Sequence, residues 1–224
     1  DLNVNGCVSR TVRDTALWLE ATQTRQRDAA FTPVPLVSAP VESKLRIRAY
    51  SAVMRTGADP DASVARVFAD TIHLLGRLGH SVADGWLPFD ASAAVDALHA
   101  VTEGMFSRRL GLLSGQIGIA IGSDDLEFRS KTLVEQGHRI DDESYDAAWQ
   151  DQRDHLVDYA GYCWIDNFAG SPSISLPMGF SDNGLPVGIQ FATKPGGEAL
   201  LLALAYQLEY AVEWWRHKPP IWAG

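Results

Sequence analysis

The stretch from Asn167 to Lys194, NFAGSPSISLPMGFSDNGLPVGIQFATK, constrains the fold of this chain more than any other. Two short runs, Ile174–Met178 and Val187–Ala192, are dominated by Ile, Leu, Val and Phe and carry no charge. They read as buried strands. Ser181-Asp-Asn-Gly184 lies between them, and Asp-Asn-Gly tolerates positive φ, so a tight connection between neighbouring strands is expected.

The rest of the chain supplies helices for such a sheet. Thr11-Val-Arg-Asp14 has the spacing of a capping box, and Val12, Ala16, Leu17 and Leu19 make an apolar side for a helix ending near Thr22. Residues 23–43, with Pro33, Pro35 and Pro40, show no period and read as a connecting loop. Leu45-Arg-Ile47-Arg-Ala49 alternates as a half-buried strand does. A helix follows from Asp59-Pro60, with Val64, Val67, Phe68, Ile72, Leu75 and Leu78 inward and Gly79 as its stop. His80-Ser-Val-Ala is the next strand. Strand, helix and strand in this order predict a βαβ unit and a partly parallel sheet.

Beyond it, the pattern predicts a helix over 91–113, with Val95, Leu98, Val101, Met105 and Leu112 as core positions. Gly111 to Gly122 shows no clear period. A charged helix is expected from Ser144 to Tyr159, with the acidic residues at 124–125 and 141–143 suited to helix N-termini. A Leu/Ala-rich helix from Glu198 to Glu213 closes the pattern before Pro219-Pro220.

Composition narrows the function classes. With 224 residues and 46% apolar content, the chain can bury a sizeable core. A net charge of -9 argues against nucleic acid as a partner. No apolar run approaches the roughly 20 residues that cross a bilayer, so no membrane role is expected. Cys7 and Cys163 form neither a disulfide framework nor a zinc motif, and the expected location is cytoplasmic. The opening, Asp1-Leu-Asn-Val-Asn-Gly6, has no initiator Met and suggests the middle of a longer protein.

No catalytic constellation stands out. His155, Cys163 and Asp166 are close in sequence, but nucleophile, base and orienting group usually come from separate elements, and Cys163 reads as a small apolar residue. The serines at 107, 114, 123 and 130 lack a Gly-x-Ser-x-Gly context. The histidines at 73, 80, 99, 138 and 217 have no metal-ligand spacing, so neither a metal nor another cofactor is expected. They read as surface or satisfied helix-end residues.

Several stretches in order carry a resemblance. They are Gly6-Cys-Val-Ser-Arg10-Thr11-Val-Arg-Asp14, Leu45-Arg-Ile47, Gly79-His80-Ser-Val82, Asn167-Phe-Ala-Gly170-Ser-Pro172 through Pro177-Met-Gly179-Phe, and Gly184-Leu-Pro186-Val-Gly188-Ile-Gln190. Together they resemble the C-terminal half of the amidase signature family, with Cys7 where the family has proline. The resemblance implies an α/β fold, a mixed β-sheet flanked by helices, with residues 1–224 forming the C-terminal part of a single amidase domain.

It also implies hydrolysis of a carboxamide by a nucleophilic Ser, a bridging Ser and a Lys. All three belong to sequence N-terminal to Thr11, so no catalytic residue is assigned to this chain. The matching positions for the acyl-binding wall are Trp164 and Ala160, while Met105 and Phe106 fall where the family has a variable substrate-facing helix. Trp164, Met105 and Phe106 also fit a plain core role. The passage between the charged helix and Asn167 is shorter than in the family. The implied partners are a small-molecule amide, the N-terminal catalytic segment and a second copy in a homodimer. The A-type subunit of a Gln-dependent amidotransferase and a non-catalytic interaction module are the alternatives.

Overall fold

The computed structural model describes residues 6–25, 31–52, 57–85, 91–141, 143–144, 166 and 169–218. The chain divides into two units: one built from residues 1–52, 58–86 and 169–224, the other from 53–57 and 87–168.

In the first unit, α1 (Val12–Thr22) starts where the spacing predicts, with the Asp14 N–H donating to Thr11 Oγ1 at 3.2 Å. A side-chain hydrogen bond with Thr11, followed by the hydrogen bond and charge of Arg13, holds the Asp14 carboxyl below its ordinary pKa. Val12 and Ala16 are buried, but Leu17 is 45% exposed and leaves the expected apolar side. At 100° per residue, Leu17 points away from the face that Ala16 buries.

The loop after α1 is tied down by side chains. Gln23 donates to the Val34 carbonyl and accepts from the Val34 N–H, and the Val41 N–H reaches the Ala203 carbonyl at 2.9 Å.

β1 (Arg46–Ala49) and β2 (Ser81–Asp84) run parallel, joined by α2 (Ala62–Arg77), which is the expected βαβ unit. Asp61 caps α2 by accepting from the Ser63 N–H. Val67 and Leu75 are buried on its inward stripe, and Thr71 joins them, 4% exposed, by donating its hydroxyl to the Val67 carbonyl. α2 ends in a Schellman motif. The His80 N–H bonds the Leu75 carbonyl, the Gly79 N–H bonds the Gly76 carbonyl, and Gly79 takes φ 93°, which a side chain would resist.

The stretch Asn167–Lys194 forms an antiparallel hairpin of β3 (Ser173–Phe180) and β4 (Pro186–Ala192). Its turn closes through the Gly184 N–H on the Ser181 carbonyl and the Ser181 N–H on the Leu185 carbonyl. Only Gly184 takes positive φ there, at 76°, so Asp182 and Asn183 contribute turn propensity rather than left-handed backbone. Leu176, Met178, Val187, Ile189 and Phe191 bury one face of the hairpin. Across it lies the last helix, Glu198–Val212, with Leu201, Leu202, Leu204, Ala205, Tyr206 and Leu208 buried. A helix apolar almost all round belongs inside a core.

The second unit holds α3 (Ala91–Ile117) and α4 (Phe128–Gly137); the helix Glu198–Val212 is therefore α5. α3 extends beyond the expected 113, through the glycine-rich stretch as far as Ile117. Val101 is fully buried, whereas Leu112, expected in the core, is 68% exposed. A 3-10 turn over Ser123–Asp125 leads into α4, where Lys131 pairs with Asp124 at 2.5 Å. The expected helix 144–159 lies outside the described residues apart from its first position.

Candidate functional site

Of the four residues assigned to a substrate pocket, Trp164 and Ala160 lie outside the described residues. So do His155 and Cys163. Met105 and Phe106 sit side by side on α3, about 100° apart around the helix. α3 packs on α4, where a side chain at Gly137 would collide with the Glu103 main chain and the Ser107 side chain. Met105 is half-buried. Phe106 is 40% exposed. Asp166 is buried and has an interaction partner.

Two buried polar arrangements in the first unit were not assigned a function from the sequence. His80 is 7% exposed and joins three elements. Its Nδ1 accepts the Leu45 N–H at 3.1 Å, so the ring proton sits on Nε2 and is donated to Gln207 Oε1 at 2.7 Å. The start of β1, the end of α2 and the middle of α5 therefore share one imidazole. This is a satisfied histidine just after a helix, one of the roles expected for the histidines.

Glu209 is 5% exposed on α5, and its Oε1 accepts the Val12 N–H, one of the four donors that an α-helix leaves open at its start. Burial raises its pKa above the ordinary carboxylate value, against the lowering effect of the Val12 hydrogen bond. Trp214 adds a second tie, donating Nε1–H to the Arg10 carbonyl at 3.3 Å. Nothing in the local sequence announces these contacts, because Leu45 and His80 are 35 residues apart and Val12 and Glu209 are 197 apart.

Neither arrangement contains a nucleophile aligned with a base. Among the described residues, no group of three or more His, Cys, Asp or Glu side chains could hold a metal ion. No helix among them is long and apolar enough to cross a membrane.

Comparison with known proteins relates this scaffold to longer proteins. The Amidase family model matches residues 130–202. A Mycobacterium tuberculosis protein described as "Putative amidase AmiC" is 29% identical over 261 residues, covering 97% of this chain and 54% of its own length. The A-type subunit of the glutamyl-tRNA(Gln) amidotransferase of Thermodesulfovibrio yellowstonii is 55% identical over 53 residues, which is 24% of this chain and 11% of that protein.

Among solved structures, a 6-aminohexanoate cyclic dimer hydrolase superimposes with a TM-score of 0.76 at 20% identity, covering 95% of this chain and 55% of that one. A bacterial aryl acylamidase of the amidase signature family gives 0.71 at 17% identity, covering 93% and 53%. The chain is thus similar in sequence to amidases and has the amidase signature fold. It spans about half the length of the curated relatives that it matches end to end.

Proposed function

We propose that the protein is an amidohydrolase that cleaves a carboxamide C–N bond, with residues 1–224 as the C-terminal part of a single amidase domain. The alignment of 97% of the chain with an amidase relative carries this reading. The catalytic residues belong to an N-terminal segment of the same protein. There an unprotonated Lys, acting through a bridging Ser, accepts the proton of a nucleophilic Ser as its oxygen attacks the amide carbon. The proton then goes to the departing amine, and water releases the acid from the acyl-enzyme.

In this reading Trp164 and Ala160 form part of the acyl-binding wall. A Trp gives that wall a flat apolar surface for an aryl or alkyl group, with Met105 and Phe106 facing the substrate from α3. A homodimer and a cytoplasmic location belong to the same reading.

The test is amine release from a panel of aryl and alkyl amides, by residues 1–224 alone and by a protein of the relatives' full length. Turnover by the longer protein only is the expected result. Equal turnover by residues 1–224 alone would remove the N-terminal catalytic segment from the reading.

The match to the A-type chain of an amidotransferase favours a second reading, in which the amide is that of Gln and ammonia passes to a partner protein. Glutaminase activity without turnover of aryl or alkyl amides would select it.

A further inference from the structure

The last turn of α5 and the residues after it reach back to the entry of α1. Thr11, the N-cap of α1, has extended backbone, φ -130° and ψ 149°, so the chain changes direction there before the helix begins. Thr11 lies between two peptide groups, and each is held from the far end of the chain. The carbonyl on its N-terminal side, that of Arg10, accepts from Trp214 Nε1–H at 3.3 Å. The N–H on its C-terminal side, that of Val12, donates to Glu209 Oε1 at 3.0 Å. Peptide groups are planar, so holding the two that flank a residue fixes its φ and ψ. The two contacts together therefore set the angle at which the chain enters α1.

A left-handed residue allows one helix end to supply both contacts. Glu213 takes φ 52° and ψ 40°, and it is the one non-glycine residue with positive φ among the described residues. Glycine is the usual occupant of such a helix end, and a residue with a side chain stays there only where its surroundings hold it. The Glu213 N–H bonds the Glu209 carbonyl at 2.8 Å, and its carboxylate pairs with Arg216 at 2.9 Å. α5 stops at Val212, and the 3-10 turn Trp214–Arg216 brings the indole to Arg10.

Attachment of α1 to the core does not need these polar contacts. Val12 and Ala16 are already buried in the apolar cluster that includes Tyr206 and Leu208. Apolar contact has no direction, whereas a buried carboxylate and an indole N–H act only along their hydrogen bonds. What Glu209 and Trp214 add is orientation.

We propose that Glu209 and Trp214 are positioning residues for amide cleavage: they clamp the peptide groups on either side of Thr11 and so aim the sequence entering α1 at the substrate. This rests on the amidohydrolase reading, in which the nucleophilic Ser, the bridging Ser and the Lys precede Thr11. In this role neither side chain touches substrate, and each acts through the main chain of residues 10–12. A misplacement of about 1 Å in a reacting group can lower a rate on the order of a hundredfold.

Steady-state kinetics per folded enzyme, in a protein of the relatives' full length, test the clamp. Glu209→Leu removes the acceptor and Trp214→Phe removes the donor, and both keep most of the side-chain bulk. Each should lower kcat by roughly tenfold to a hundredfold with KM within about twofold of the parent. Glu209→Gln keeps an acceptor for the Val12 N–H and should recover most of the parent's kcat. His80→Ala loosens the same unit away from Thr11, so it should keep most of the parent's kcat in the molecules that remain folded. Trp214→Phe carries the test should Glu209→Leu fail to fold.

An unchanged kcat in Glu209→Leu and Trp214→Phe would overturn the proposal. So would an equal fall in His80→Ala, which would mark the loss as one of stability, or a rise in KM with kcat held, which would place the two side chains in binding. A parent that hydrolysed no amide would refute the amidohydrolase reading and the clamp with it. Turnover by the parent that the variants left unmoved would sink the clamp alone.

Discussion

The two units of this chain bury apolar residues in different ways. In the first unit, fifteen buried side chains from α1, α2, β3, β4 and α5 form one cluster, with Leu208 and Ala205 at zero exposure. In the described part of the second unit, Val101 and Val134 are the buried hydrophobic residues, while Phe106, Leu112, Leu113, Ile117, Ile119 and Phe128 are exposed. Thus one unit has a core made from distant parts of the chain, and the other is a helical pair with much apolar surface in solvent. Apolar residues in the two units meet opposite outcomes because burial depends on having a second layer to pack against.

This contrast makes Leu208→Ala the most damaging single substitution. It should destabilise the first unit by about 2–5 kcal/mol, since it opens a cavity at a fully buried site. Phe106→Ala on α3 should leave urea unfolding nearly unchanged. If the two variants lost equal stability, the contrast between the units would be wrong.

His80→Ala should cost about 1–3 kcal/mol, because the Leu45 N–H and the Gln207 amide lose their partner inside the first unit. Amide exchange should then quicken at β1 and α5 while α3 and α4 keep their rates.

Glu209 gives a pH dependence with a definite sign. Burial raises its pKa in the folded chain, so folding favours the protonated carboxyl. Its contribution to stability is full below the ordinary carboxylate pKa and is lost as pH rises through the raised folded value. Glu209→Gln, which keeps an acceptor for the Val12 N–H, should flatten stability over that window in a urea titration series. An unchanged slope would remove Glu209 as its source.

The smallest effect belongs to Arg66, which reaches Asp182 at 2.6 Å and the Phe180 carbonyl at 3.0 Å on the surface of the hairpin. Both partners of the ion pair are largely solvated, so Arg66→Ala should cost no more than about 1 kcal/mol, and less in high salt.

Legibility follows the same division. The βαβ unit, the hairpin and α1 can be read from spacing, because one face of each meets the core and the other meets water, and α5 from its nearly unbroken Leu/Ala run. α4 cannot, since Phe128 is 87% exposed, no side chain caps the helix at Glu127, and Val134 is its one buried hydrophobic residue. Leu17 and Leu112 depart from expectation for a related reason. Apolar identity says that a residue can be buried, and a partner surface decides whether it is. For the candidate site, spacing places Met105 and Phe106 on a helix, as the structure does. Their difference in exposure, half-buried against 40% exposed, is not encoded in that spacing.

By itself, the sequence determined the order of the elements in the first unit, the hairpin with its turn, and the resemblance to amidases, because these depend on local spacing and on motifs read in order. Asn167–Lys194 was sufficient for the hairpin. Only the tertiary structure decided that His80 would join β1 to α5 and that Glu209 would bind the start of α1. It also decided that Trp214 would reach the Arg10 carbonyl. These outcomes follow from hydrogen bonds between residues far apart in the chain. Such directions exist only once the backbone has been placed in space.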